Sequence, residues 1–504
     1  MSSIRKQSII SSILVYIGFA LGFINTYLFT REGSFSESQY GLTGAFIAIA
    51  NVMYSFALLG MQSYIYKFYP YYNDNLPRKQ NDMITWALVV SLIGFALVTI
   101  GGLALKDLVI RKFGTNSAEL VQYYYWIFPF GLGLTIYSVL EAYAWQLKRS
   151  VVTNYLRELQ FRIFTTILIV LFLVGVIKNF DVFIKLYSLT YFLIAAILFI
   201  LLWKKRELFI TFSFSRVSKK FFKKIVTLAA FVWSGNLIYN VANVFDTIIL
   251  AAVLPNGLAF AGIFTLAQNI ASLVQAPQRG IISASVAPLA QAWKDKDMTR
   301  IRRIYQRSSI NMLVFSIGMF ALITLNFIDG VETFHLKSTY VQALPVFLFI
   351  GLMRILDMGT GLNSQIIGTS TFWRFEFFTG MALLAMALPL NYYLTKSLGV
   401  IGPAISNLIA FTIYNSIRCI FLYRKFGMQP FTIKSLYTVL LGAAGYLLTY
   451  YLFKEKQGFL WICIRSAVFV IIYATGIISL KLTADVEAVL LGFRDRIYRK
   501  KKVG

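Results

Sequence analysis

An all-α, polytopic membrane protein is the fold class this chain predicts, on three observations. Its 504 residues are 58% hydrophobic and 14% charged, well outside the balance of a soluble domain. The apolar residues gather into about fourteen stretches close to the ~20 residues a helix needs to cross a bilayer. Lys and Arg concentrate in every second connection, as the positive-inside rule requires of a chain that crosses repeatedly. Continuous apolar runs of this length satisfy their backbone polar groups only as helices, so a β-barrel is excluded.

The segments follow in order. The first, 8–29, comes after Arg5 and Lys6 as a secretory leader would, but its apolar part is too long and no small-x-small cleavage site follows, so it reads as a retained span. Segments 41–64, 83–105, 120–145, 161–177 and 182–203 complete a set of six. The connection 204–224 then carries eight basic residues, from Lys204 to Lys224. A second set of six follows at 225–254, 258–288, 310–327, 343–367, 377–393 and 401–423, and 436–453 and 460–480 form a final pair. Outside these segments, 33 Lys and Arg fall on the side of the N-terminus and 9 on the other. Both termini and the connection 204–224 are therefore expected in the cytoplasm, which requires an even number of spans. The expected organisation is an N-terminal lobe 1–203, a basic linker 204–224, a C-terminal lobe 225–430, the last two spans within 431–481 and a basic tail 482–504. At an offset of 218 residues Gly44, Phe46, Asn51 and Pro70 pair with Gly262, Phe264, Asn269 and Pro288, which suggests two parallel six-helix repeats.

Composition narrows the function. The net charge of +27 sits beside membrane ends, where topology and anionic headgroups account for it, so nucleic acid is not expected as a partner. Cys419 and Cys463 fall inside predicted spans and His335 stands alone in a loop, which leaves no disulfide framework and no metal-ligand spacing. The sequence contains no GxxxxGK[ST] phosphate loop, so no ATPase motor is expected and any pumping draws on an ion or substrate gradient.

Polar residues inside spans cost free energy, about 2.5–3.5 kcal/mol for a charge at the centre, and their helical phase is informative. Asn236, Tyr239, Asn240, Asn243 and Asp246 share one face of the seventh segment at spacings of three and four. Gln268, Ser272, Gln275 and Arg279 share a face of the eighth, beside Pro277. Arg354, Asp357, Gly361 and Gln365 do so in the tenth, and Asn51, Tyr54, Ser55 and Gln62 in the second. Each stripe alone fits interhelical hydrogen bonding; together they predict a hydrated cavity lined by Asn51, Asn236, Asn240, Asn243, Gln268, Gln275, Arg279, Arg354 and Gln365. Arg354 and Asp357 also fit mutual neutralisation. Asp246, Asp357 and Glu141 are the acids placed to couple a proton or sodium ion. Arg162, Arg418 and Arg465 lie near span ends and read as snorkelling side chains. Tyr123, Tyr124, Tyr125 and Trp126 read as an interfacial aromatic belt, and Asp295 with Asp297 forms a DxD that no nucleotide-binding domain surrounds.

From the seventh segment onward the text resembles a known family. NVFDTIILAAVLPNGLAFAGIFTLAQNI, SVAPLAQAWKDKD, GLNSQIIGTSTFWR and LGVIGPAISNLIAFTIYNSIRCIFLYRKF are similar to the polysaccharide transporters, including O-antigen flippases, of the multidrug/oligosaccharidyl-lipid/polysaccharide flippase (MOP) superfamily. Pro403 stands where that pattern commonly has Ala. The resemblance implies a transporter, not an enzyme. It would move a polyprenyl-pyrophosphate-linked oligosaccharide across a bacterial cytoplasmic membrane for surface polysaccharide assembly, without a cofactor beyond an ion gradient, beside membrane lipids and polysaccharide assembly enzymes. It assigns Asp246 the seventh-helix acid and makes Arg279, Arg354 and, at the cytoplasmic rim, Arg374 the candidates for holding anionic sugar or pyrophosphate. Two other functions fit the composition: a cation-coupled multidrug exporter of the same superfamily, which would usually have twelve spans, and a membrane-embedded enzyme of glycan assembly, which would require a large outer loop or soluble catalytic domain.

Overall fold

The computed structural model describes the backbone of residues 3–483 and side chains from Leu14 onward, apart from a few within helices. The described residues form helices joined by short turns, with no strands. Contacts divide the chain into two compact units, 1–262 and 263–504.

In the first unit α1 (Ser3–Thr30), α2 (Glu37–Ala57) and α3 (Met61–Asn75) are followed by α4 (Met83–Ala104), two short helices, α5 (Lys106–Phe113) and α6 (Ala118–Gln122), and then α7 (Ile127–Gln146). Next come α8 (Ser150–Asn154), a π-helical segment (Tyr155–Gln160), α9 (Phe161–Leu173), α10 (Phe180–Ser188), α11 (Thr190–Lys204) and α12 (Arg216–Val253). Helix α13 (Gly257–Ala271) carries the division between units. The second unit contains α14 (Gln278–Lys294), α15 (Met298–Thr333), α16 (Ala343–Gly359), α17 (Asn363–Thr369), α18 (Trp373–Leu398), α19 (Gly402–Phe426), α20 (Ile433–Leu452) and α21 (Phe459–Ser479). Every one of the fourteen expected segments is built on helix. Nine helical stretches among the described residues are long and apolar enough to cross a membrane, and one of these, 374–426, contains both α18 and α19.

Local chemistry explains the boundaries. Ser36 and Gln39 close a capping box at the start of α2, at 3.1 and 2.9 Å. The second segment then breaks at Leu58–Gly60, where Gly60 has φ +77° and a side chain would strike the backbone of Ala229 on α12. Helix α12 starts inside the linker expected at 204–224, because Ser215 caps it through the Ser218 amide at 3.1 Å. Its 38 residues extend about 57 Å, well beyond a ~30 Å hydrocarbon core. Buried Asp82 accepts from the Ser215 amide (2.9 Å) and the Ser218 hydroxyl (2.7 Å), and Ser218 meets Tyr72 (2.6 Å), which tethers the start of α12 to α3 and α4. A side chain at Gly41 of α2 would enter the Leu258 carbonyl of α13.

The lobe boundary expected at 204–224 thus differs from the contact division. Helix α12 packs along α2 and α3 and belongs with the first unit, because Gly60 and the Asp82 tether seat it there. Displaced by 218 residues, α2 and α3 fall on α13 and α14, α4 on α15, α7 on α16 and α11 on α19. The breaks in the second and eighth segments, at 58–60 and 272–277, coincide under the same offset.

The first unit packs around Tyr64, Phe68, Tyr72, Tyr137, Leu140 and Leu198, and the second around Tyr305, Met312, Met358, Leu362 and Leu422. Helices α20 and α21 lie on α15 through Leu313, Ile317, Phe469 and Tyr473. They are locked there by Arg465, whose guanidinium meets Asp329 at 2.7 Å and Asn326 at 2.9 Å, while Asp329 also accepts from the Gly458 amide at 2.9 Å.

Candidate functional site

A break in the tenth segment organises the polar interior of the second unit. Helix α16 ends at Gly359, and Gly361 takes φ +69° where a Cβ would sit 3.1 Å from Ser309, so the chain turns into α17. Asp357 lies in the last turn of α16, where Thr360 caps the helix, its N–H donating to the Leu356 carbonyl and its hydroxyl to the Asp357 carbonyl. Its two carboxylate oxygens accept from Gln278 of α14 (2.9 Å) and Asn415 of α19 (3.1 Å). Asn415 in turn accepts from Asn363 at 3.0 Å, and Asn363 accepts from the Ser364 amide at 2.6 Å. The Ser364 hydroxyl donates to Glu376 of α18 at 2.7 Å, and Glu376 is ion-paired with buried Arg418 of α19. Arg418 lies 3.6 Å over the Tyr414 ring and hydrogen-bonds its hydroxyl. One connected network therefore crosses α14, α16, α17, α18 and α19, holding two carboxylates and one guanidinium.

The first unit holds a second polar constellation. Buried Glu141 of α7 accepts from Arg157 of the π-helical segment at 3.0 Å. One turn further along each element, the Trp145 indole donates to the Thr153 hydroxyl at 2.8 Å. The Tyr54 hydroxyl of α2 lies close to Asn240 of α12, within electrostatic reach of Arg157 and Glu141. Next to these, Arg162 pairs with Glu158 at 3.2 Å and packs against Gly18 and Gly22 of α1. An inserted π turn re-aims the side chains that follow it, and such turns recur at functional sites.

The expected residues distribute as follows. Asp357 and Glu141 are centres of the two networks, and Asn240 lies beside the second. Arg354 is half-buried on α16, Gln365 half-buried on α17 and Arg374 exposed on α18. Gln268 is half-buried on α13, and Gln275 lies in the break after it. Asn51 turns its amide onto its own helix, donating to the Ile47 carbonyl at 2.7 Å. Asp246 is buried on α12. The side chains of Asn236, Tyr239, Asn243 and Arg279 lie outside the described residues.

The expectation of snorkelling is corrected for three arginines. Arg162, Arg418 and Arg465 do not snorkel freely: each is held by a carboxylate, Glu158, Glu376 and Asp329 respectively. A guanidinium near a span end is satisfied by water or by a partner on another turn or helix, and one-dimensional depth does not distinguish the two. The DxD acids are structural: Asp297 caps α15 through the Arg300 amide at 2.9 Å, and Asp295 accepts from Gln291 at 2.9 Å. Sequence reading missed Gln278, Asn363, Asn415, Glu376 and Arg157. The spacing of Tyr414, Asn415 and Arg418 in the twelfth segment carried a signal for the first network; nothing local marked Arg157. Among the described residues no three His, Cys, Asp or Glu side chains gather as a metal site would require.

No family model and no curated protein matches the sequence. Solved structures do match the fold. A lipid II flippase, MurJ, in an inward closed conformation is similar over 93% of this chain and 98% of that one, with a TM-score of 0.72 at 15% identity. A multidrug resistance MATE family transporter of the MOP superfamily, inward-facing, is similar over 81% of this chain and 96% of its own, with a TM-score of 0.61 at 15% identity. A MOP superfamily transporter from Pyrococcus furiosus is similar over 84% and 96%, with a TM-score of 0.55 at 16% identity. The chain is an all-helical, multi-pass membrane protein with the fold that MOP-superfamily transporters share.

Proposed function

We propose that the protein is a flippase that carries a polyprenyl-pyrophosphate-linked oligosaccharide from the cytoplasmic to the outer leaflet of a bacterial cytoplasmic membrane for surface polysaccharide assembly. The observation that carries this reading is coverage. The flippase structure accounts for 93% of the chain, whereas the MATE structure leaves nearly a fifth of it without a counterpart. No covalent bond changes; the two lobes open alternately, the glycan and pyrophosphate exchange water for polar side chains, and the prenyl tail stays in lipid. Arg279, Arg354 and Arg374 hold anionic groups, and Asn51, Asn236, Asn240, Asn243, Gln268, Gln275 and Gln365 complete the lining.

Coupling is assigned first to Asp357. It is the carboxylate at which α14, α16 and α19 meet, so exchange of a proton or sodium ion there would bear on three helices at once. Gln278 and Asn415 hold it in either state. Asp246 and Glu141 are the further acids of this role, and polysaccharide assembly enzymes are the expected partners.

The test is leaflet accessibility of a pyrophosphate-linked oligosaccharide in proteoliposomes, with and without an imposed proton or sodium gradient. Wild type is expected to expose substrate in a gradient-dependent way, Arg354→Ala to lower the rate at least tenfold and Lys454→Ala, an exposed loop change, to leave it unaltered. Failure of well-folded wild type across several glycans, together with gradient-driven efflux of a cationic drug, would replace the reading with drug export.

A further inference from the structure

The constellation around Arg157 has the composition of a carbohydrate platform. Glu141 and Trp145 are one turn apart on α7, and they face Arg157 and Thr153, one turn apart across α8 and the π-helical segment. Tyr66 of α3 stacks on Trp145 with centroids 5.9 Å apart and planes 17° apart. Both rings remain partly open, 39% and 43% exposed. Arg157 gives one N–H to Glu141 and leaves 48% of its side chain exposed, whereas Glu141 is 4% exposed. Its other N–H groups have no described hydrogen-bond partner. A charged side chain this open faces water rather than hydrocarbon.

Charge selects the ligand class. Arg157 is balanced by Glu141, and Glu158 by Arg162, so these two pairs add no surplus of positive charge to attract a pyrophosphate. An exposed aromatic face beside a planar guanidinium instead suits a ring that is apolar on its C–H faces and hydrogen-bonding at its edge. We propose that Tyr66, Trp145 and Arg157 form a sugar-ring subsite for the transported glycan, at the end of the first unit that the distribution of basic residues assigns to the cytoplasm. The subsite rests on the flippase reading and adds to it a glycan contact separate from any pyrophosphate contact. Trp145 and Tyr66 stack on the ring, Arg157 donates to its hydroxyls or to a uronate carboxylate, and Glu141 is a positioning residue that holds the guanidinium at the edge of the platform.

The experiment uses purified full-length protein and two probes: glycan released by mild acid from the lipid-linked oligosaccharide of the source cells, and glycan-free polyprenyl pyrophosphate. Binding is read calorimetrically and by hydroxyl-radical footprinting of wild type. Released glycan is expected to protect Trp145 and Tyr66 from oxidation. Trp145→Ala and Arg157→Gln should weaken glycan binding at least tenfold while leaving affinity for glycan-free pyrophosphate within twofold, and Trp145→Phe, which keeps a ring, should retain most of it. Protection by glycan-free pyrophosphate alone, or by phosphatidylglycerol vesicles, would overturn the subsite in favour of a headgroup contact. Glycan binding to wild type without protection of these rings would overturn it while leaving the flippase reading standing. Binding of neither probe to wild type would remove that reading itself. Footprinting needs no variant, so the outcome holds even where Trp145→Ala fails to fold.

Discussion

Among single residues, those that decide the behaviour of this protein are charges whose partners are distant in sequence. Arg465 and Asp329 are 8% and 7% exposed, so removing one leaves the other buried and uncompensated. Arg465→Ala is therefore expected to destabilise the protein by roughly 3–5 kcal/mol, seen as a lower unfolding temperature in detergent. Replacing both, as Arg465→Met with Asp329→Leu, should recover most of that loss, because an apolar pair of similar volume carries no desolvation penalty. Glu119, just outside the membrane-spanning part of the fourth segment, has its carboxyl pushed up by burial. A carboxyl whose folded pKa lies above its unfolded value stabilises the fold at low pH and loses that contribution as pH rises through the folded pKa. Glu119→Gln should thus flatten the decline in unfolding temperature between the acid range and neutrality; an identical pH profile in variant and wild type would refute the assignment.

At the level of elements, glycines set where helices stop and how closely they approach. Gly361 has φ +69°, and Gly361→Ala is expected to cost about 1–2 kcal/mol of backbone strain. It should also disturb gradient dependence more than a comparably destabilising change on α21, since the break it forms positions Asp357. Gly41→Leu would press a side chain into the Leu258 backbone and is expected to cost about 1–3 kcal/mol through overpacking, measurable as reduced yield of folded protein. The helices themselves were legible from run length, because membrane helices must be continuous and apolar. The breaks were less so: Pro277 pointed to the one in the eighth segment, whereas Gly60 and Gly361 looked like the other 31 glycines of the chain. Only the close neighbour, Ala229 in one case and Ser309 in the other, shows why no side chain fits.

For the whole molecule, the proposed ion-coupled transport is the property to test. Asp357→Asn keeps both amide contacts in shape but removes the titratable group, so gradient-driven exposure should fall at least tenfold while slow gradient-independent exchange persists in proteoliposomes. Equal loss of both would make Asp357 a folding residue. Class, helicity and the asymmetry of basic residues followed from the sequence alone, because hydrophobic run length and Lys/Arg placement are properties of the chain in one dimension. So did Asp357 and Glu141 as polar groups worth explaining, since a carboxylate in an apolar run is costly wherever the fold puts it. Tertiary structure decided their partners. Glu141 finds Arg157 across a π-helical turn, Asp357 finds Gln278 and Asn415 from helices 79 and 58 residues away, and Arg465 finds Asp329 136 residues away. The free energy of a buried charge depends on what faces it, and that is set only when the helices pack.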